Sequence, residues 1–139
     1  MVPLFTRNRK IGVQSFILKV VNNSCPELKA LIEGPRLDRR VNLTVVVAVV
    51  PVKNKRPCVE ETFYAVTKEF SATGLAVVVD RPCGLDDAIV GFRFDGGMTF
   101  LRAKANHLNP LGGGFFQLGF RLLEMAHVGD YPELESASF

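Results

Sequence analysis

Two short segments of this 139-residue chain carry side chains with chemistry to offer. Arg36-Leu37-Asp38-Arg39-Arg40 sets three guanidinium groups within five residues. The planar guanidinium fork pairs bidentately with oxyanions and its face stacks on flat rings, neither of which an ammonium reproduces. Glu69-Phe70-Ser71-Ala72-Thr73-Gly74 combines a carboxylate, a hydroxyl and a glycine in a Ser-x-x-Gly turn. Each pattern alone is common and arises by chance. Catalytic groupings are poorer still. His107 and His127 are the only histidines, and neither lies in an HExxH, GxSxG or paired-carboxylate setting. The expected chemistry is therefore binding, with no catalytic residue and no enzyme activity. Asp86 and Asp87 read as flanking a turn, His107 as a strand-end residue and His127 as a surface residue. Gly112 to Gly114 reads as a loose turn, because no Lys-Ser or Lys-Thr follows it and the next element is strand-like.

The elements that must position these segments change character along the chain. Ser24 with Glu27 forms a capping box and Pro26 suits a first helical turn, so a short helix is expected from there to Gly34, with Leu28, Leu31 and Ile32 as an apolar packing stripe. The period of Phe16 to Val21 does not decide between strand and helix. From Val41 onward the pattern is β, with six expected strands: Val41 to Val52, Val59 to Thr67, Leu75 to Val79, Ala88 to Phe94, Met98 to Ala105 and Phe115 to Leu123. Turn-rich separators stand between them, at Lys53 to Pro57, Ser71 to Gly74, Arg81 to Asp86, Asp95 to Gly97 and Asn109 to Gly114. Short connections make consecutive strands antiparallel neighbours, and six such strands close naturally into a barrel. In the last strand Phe116, Leu118, Phe120 and Leu122 share the face that should fill it, opposite Gln117, Gly119 and Arg121.

Taken together, in this order and at this separation, the two segments resemble the signature of the PilZ family. That signature is RxxxR ahead of a β-barrel and [Asp/Asn]-x-Ser-x-x-Gly at the junction of its second and third strands. The resemblance runs from residue 36 to about 123 and includes Arg40-Val41-Asn42-Leu43 entering the first strand and Phe116-Gln117-Leu118-Gly119-Phe120-Arg121 as the closing strand. It implies a six-stranded antiparallel barrel that binds the bacterial second messenger cyclic di-GMP and acts as a signalling effector or adaptor. Arg36 and Arg40 inherit the ligand contacts, with Arg39 a third. The acid at position 69 would accept from the guanine N1–H and N2–H edge, Ser71 would hydrogen-bond near a phosphate or base, and Gly74 would permit a positive φ or a close backbone approach. Glu69 departs from the family, which has Asp or Asn there. The extra methylene supports an alternative, a PilZ-like barrel that has lost the nucleotide and serves as a protein interaction module.

The charge distribution suits a small anionic ligand or an acidic partner. Residues 1 to 40 carry eight Lys or Arg against three acids, and residues 124 to 139 carry four acids and no Lys or Arg. A net charge of +3 is too weak to argue for duplex DNA, and Tyr64 and Tyr131 are too few to form the stacking platforms of an oligonucleotide-binding barrel. Cys25, Cys58 and Cys83 lack a CxxC pair, which points away from disulfides and zinc and toward a reducing compartment. The longest apolar run, Val45 to Val52, is broken by Pro51 and far shorter than the ~20 residues a membrane helix needs. The expectations are a cytoplasmic location, no membrane insertion, no metal, no cofactor besides the cyclic di-GMP ligand, and an unidentified downstream protein as partner. Three regions follow: an N-terminal extension with a short helix over 1–35, the barrel over 36–123, and an acidic tail or short helix over 124–139.

Overall fold

The structure, a computed structural model, describes residues 44–71, 73–82, 84–94 and 96–137. Arg36, Arg39, Arg40, the expected Ser24 to Gly34 helix, Cys25 and Cys83 lie outside the described residues.

Among the described residues seven strands follow one another: β1 Val46–Lys53, β2 Arg56–Pro57, β3 Phe63–Phe70, β4 Gly74–Val79, β5 Asp87–Phe94, β6 Gly97–Gly112 and β7 Phe115–Ala126. The two-residue β2 only extends a hairpin from β1, where Asn54 and Lys55 turn the chain with φ of 53° and 64°. Asn suits that left-handed turn, which matches the twist of the flanking strands. The other six pair in the order β1-β3-β4-β7-β6-β5, and β5 pairs back with β1, so the sheet closes into a six-stranded antiparallel barrel. Closure leaves these strands without a free edge.

Alternation along the strands sorts the side chains. Val47 and Val49 of β1, Leu75 and Val77 of β4, Val90 of β5, Leu101 of β6, and Leu118, Phe120 and Leu122 of β7 point inward and form one core. Phe116 packs against that core half-buried, so the inward face expected of the last strand is the observed one. Outside the barrel, Val50, Ile89 and Phe100 form a second cluster. The C-terminal segment covers it, running as a 3-10 helix at Pro132–Ser136 and burying Leu134 and Ala137. The hydrophobic effect thus keeps β1 apolar on both faces, which is why Val47 to Pro51 is buried without interruption.

Several boundaries differ from the sequence reading. Val59–Glu61 is a 3-10 turn and β3 starts only at Phe63. Cys58 donates its N–H to the Pro51 carbonyl (2.8 Å), and Lys53 holds the Glu61 carboxylate through both oxygens; this ties the turn to β1 before the strand can begin. β6 does not end at Ala105 but continues to Gly112, because its hairpin with β7 stays paired through Pro110 and Phe116. His107 is therefore within a strand rather than at its end. The turn itself shrinks to Gly112, Gly113 and Gly114, all with positive φ, which is where glycine is needed.

Candidate functional site

Strict alternation from the buried Thr67 would send Glu69 into the barrel and Phe70 out of it. An irregularity in the β3–β4 pairing prevents this: Thr67 is opposite Val77, but Glu69 is opposite Ala76, which leaves Lys68 as an extra residue. The bulge reverses the phase. Phe70 is fully buried in the core, and Glu69 emerges half-buried on the outer face. Thr67 anchors the near side of the irregularity by taking the Val45 N–H on its hydroxyl (2.8 Å) while donating its own N–H to the Val45 carbonyl (2.9 Å).

Beyond Phe70 the chain turns tightly. Ser71 donates its N–H to the Gly74 carbonyl at 2.9 Å, its hydroxyl reaches the same oxygen at 3.4 Å, and the Thr73 carbonyl accepts from Leu122 N–H at 2.8 Å. The turn is thus stitched to β7. Gly74 is opposite Arg121, and a Cβ added to it would overlap the Phe120 carbonyl oxygen. Of the two roles considered for this glycine, close backbone approach is the one it fills.

On the outer face, register aligns four positions in a row across four strands: Glu69, Ala76, Gly119 and His107. The two middle residues are small, so the row is a trough with Glu69 on one wall and His107 on the other. The imidazole lies directly over Gly119, where a Cβ would come within 2.9 Å of it. This trough is the floor of a cleft of about 230 Å³ that Glu69, Ser71 and Gly74 line together, along with Asn106, His107 and Arg121. Three residues chosen from the sequence therefore meet in one cleft. Gln117 also lines it and accepts a hydrogen bond from Lys68 (2.9 Å). The Arg121 guanidinium has no ion-pair partner among the described residues and stands exposed at the rim.

Similarity to a solved structure bears on the fold. The solved structure of the Bacillus subtilis inhibitor of motility (MotI/DgrA) superposes with a TM-score of 0.50 at 17% sequence identity, covering 73% of this chain and 47% of that one. The barrel is PilZ-like. This chain spans less than half the length of that motility inhibitor. No protein-family profile matches the chain, and no curated protein matches its sequence.

The sequence reading missed the wall formed by β6. Asn106 and His107 belong to a segment whose strand extends seven residues further than its composition suggests, and that extension is what carries the imidazole over Gly119. The outward set Gln117, Gly119 and Arg121 was visible from alternation, but its convergence on Glu69 was not, because it depends on the bulge at Lys68. Among the described residues one further group of ligand-type side chains comes together, Cys58, Glu60 and Glu61. Lys53 already occupies the Glu61 carboxylate, so this group serves the hairpin. No helix among the described residues is long and apolar enough to cross a membrane.

Proposed function

We propose that the cleft is one half of a binding site for cyclic di-GMP, and that Arg36, Arg39 and Arg40 supply the other half from the segment that leads into β1. The observation that carries this reading is the meeting of Glu69, Ser71 and Gly74 in a single outer cleft at the β3–β4 junction. The cleft is too small and too open to enclose two linked nucleotides, so a second set of side chains must close over the ligand. Arginines do this well, since one type of side chain pairs with phosphate, pairs with guanine O6 and N7, and stacks on purine faces.

Within the cleft the Glu69 carboxylate accepts from the guanine N1–H and N2–H edge, and the Ser71 hydroxyl donates to a phosphate or base oxygen. The imidazole of His107 presents a flat face beside the trough, suited to stacking on a base. Gly74 lets β4 and β7 approach closely beneath the cleft, and Gly119 leaves room for the His107 imidazole over the floor. Acting as an effector rather than an enzyme, the protein would pass ligand occupancy to a downstream protein by moving the arginine segment onto the barrel. No catalytic step is assigned to any residue.

Isothermal titration of the full chain with cyclic di-GMP is the direct test, and a dissociation constant in the micromolar range or tighter, with GMP and GTP much weaker, is the expected result. No heat with ligand at ~100 μM would overturn the reading. The second reading would then hold, a PilZ-like barrel that works as a protein interaction module without nucleotide. The observation in its favour is Glu69, whose carboxylate stands one methylene farther from the backbone than that of Asp.

A further inference from the structure

The inside of the barrel is filled, and apolar side chains elsewhere in the chain must find cover on its outside. Among the described residues, two apolar regions lie on the outer surface. One of them, around Val50, Ile89 and Phe100, is roofed by Leu134 and Ala137 of the C-terminal segment. In the other, Val46, Val66 and Val78 form a row across β1, β3 and β4. Tyr64 and Phe115 flank this row around a shallow groove. Val46 is 51% exposed, Tyr64 53%, Val66 40% and Phe115 50%. So many large apolar groups on one sheet face mark an interaction surface rather than scattered exposure.

The chain itself indicates the occupant. Thr67 holds Val45 beside β3 through two hydrogen bonds, so the chain enters the barrel beside this face. That N-terminal portion includes Leu28, Leu31 and Ile32, spaced as a helical stripe, which the filled interior cannot take in. The nine residues 35–43 between the stripe and Thr44 span up to about 30 Å when extended. Crossing β1, β3 and β4 takes only about 10 Å, two strand spacings. Reach is ample.

We infer that residues 24–34 dock through Leu28, Leu31 and Ile32 on the face formed by Val46, Val66 and Val78, between Tyr64 and Phe115. The barrel is then roofed on one side by its own N-terminal segment and on the other by its C-terminal one. The docking itself needs no nucleotide.

Amide hydrogen exchange on the full chain tests it without ligand. Amides of residues 28–34 should exchange at least about tenfold more slowly than in an unstructured peptide. Val66→Lys should abolish that protection while the amides of β4 and β7 stay protected. Leu31→Asp, which leaves the barrel sequence untouched, should release the same segment and serves as the deciding variant if Val66→Lys disturbs the sheet. Three results would overturn the inference: no protection of residues 28–34 in the wild type, protection that survives Leu31→Asp, or a wild-type dimer that Val66→Lys turns into a monomer. The last would assign the face to a second copy of the chain.

Discussion

Adding one methyl group at Gly74 and one at Gly119 should have opposite consequences, although both glycines line the same cleft. At Gly74 the new Cβ overlaps the Phe120 carbonyl oxygen, a backbone atom in the β4–β7 ladder. That oxygen cannot move alone. Relief requires β4 and β7 to part, and overpacking of this kind costs about 1–3 kcal/mol, or more where backbone must shift. Replacing Gly by Ala also reduces unfolded-chain entropy, which offsets at most about 1 kcal/mol. A net loss of about 2 kcal/mol corresponds to a fall in Tm of about 7 °C for a chain of 139 residues. At Gly119 the new Cβ meets the imidazole of His107 at 2.9 and 3.0 Å. His107 is exposed, and its ring can rotate away. Gly119→Ala should therefore stay within about 1 kcal/mol of wild type in stability, yet weaken cyclic di-GMP binding because the trough floor rises and the imidazole leaves its place. Thermal and urea unfolding followed by circular dichroism, with calorimetric titration of the folded variants, would measure both. Equal stability losses in the two variants, or a Gly74→Ala protein as stable as wild type, would refute the reasoning from close backbone approach.

Arg36→Ala and Arg40→Ala should each weaken cyclic di-GMP binding by about 2 kcal/mol or more while changing stability by less than about 1 kcal/mol, and Arg36→Lys should not restore it; wild-type affinity in both alanine variants would place the ligand elsewhere. Glu69→Asp should strengthen binding severalfold and Glu69→Ala should weaken it. If neither changes the calorimetric affinity while Arg40→Ala does, the acid has no part in the site. The C-terminal segment should loosen in acid. Its Glu133 carboxyl is held below its ordinary value of 4.5 mainly by the hydrogen bond from Arg56, with a smaller attraction from the same charge. A carboxylate with a depressed folded-state pKa contributes above its unfolded value and loses that contribution as pH falls through the folded one. Protection of amides 131–137, taken relative to the intrinsic exchange rate at each pH, should therefore fall below about pH 4.5 in the wild type, and Arg56→Ala should remove most of that pH dependence; an unchanged acid profile in the variant would show that burial of Leu134 alone holds the segment.

The six-stranded closed barrel was legible because its strands announce themselves through local composition. Leu75 to Val79 and Ala88 to Phe94 match the observed β4 and β5 to within a residue at either end, since β-branched runs between turn residues leave little choice. Boundaries failed where a tertiary contact decided them. Val59 looks like strand, but the Cys58 bond to Pro51 and the Lys53 grip on Glu61 hold a 3-10 turn there. Asn109 and Pro110 look like turn, but pairing with Gln117 and Phe116 keeps them in β6. The cleft was half legible for the same reason. Glu69, Ser71 and Gly74 are contiguous, and a six-residue pattern can reveal them. Asn106, His107 and Arg121 join them only through register, and that register depends on one extra residue at Lys68. Pairing Lys68 in the ladder instead of bulging it out would restore strict alternation, burying Glu69 in the barrel and expelling Phe70 from it. Phe70 is fully buried, in ring contact with Phe92, and a lost phenyl group costs about 3–5 kcal/mol, whereas a buried carboxylate without partners costs several kcal/mol or takes up a proton. Each consequence is worse than the bulge, so the irregularity that places Glu69 over the cleft is the arrangement the core itself requires.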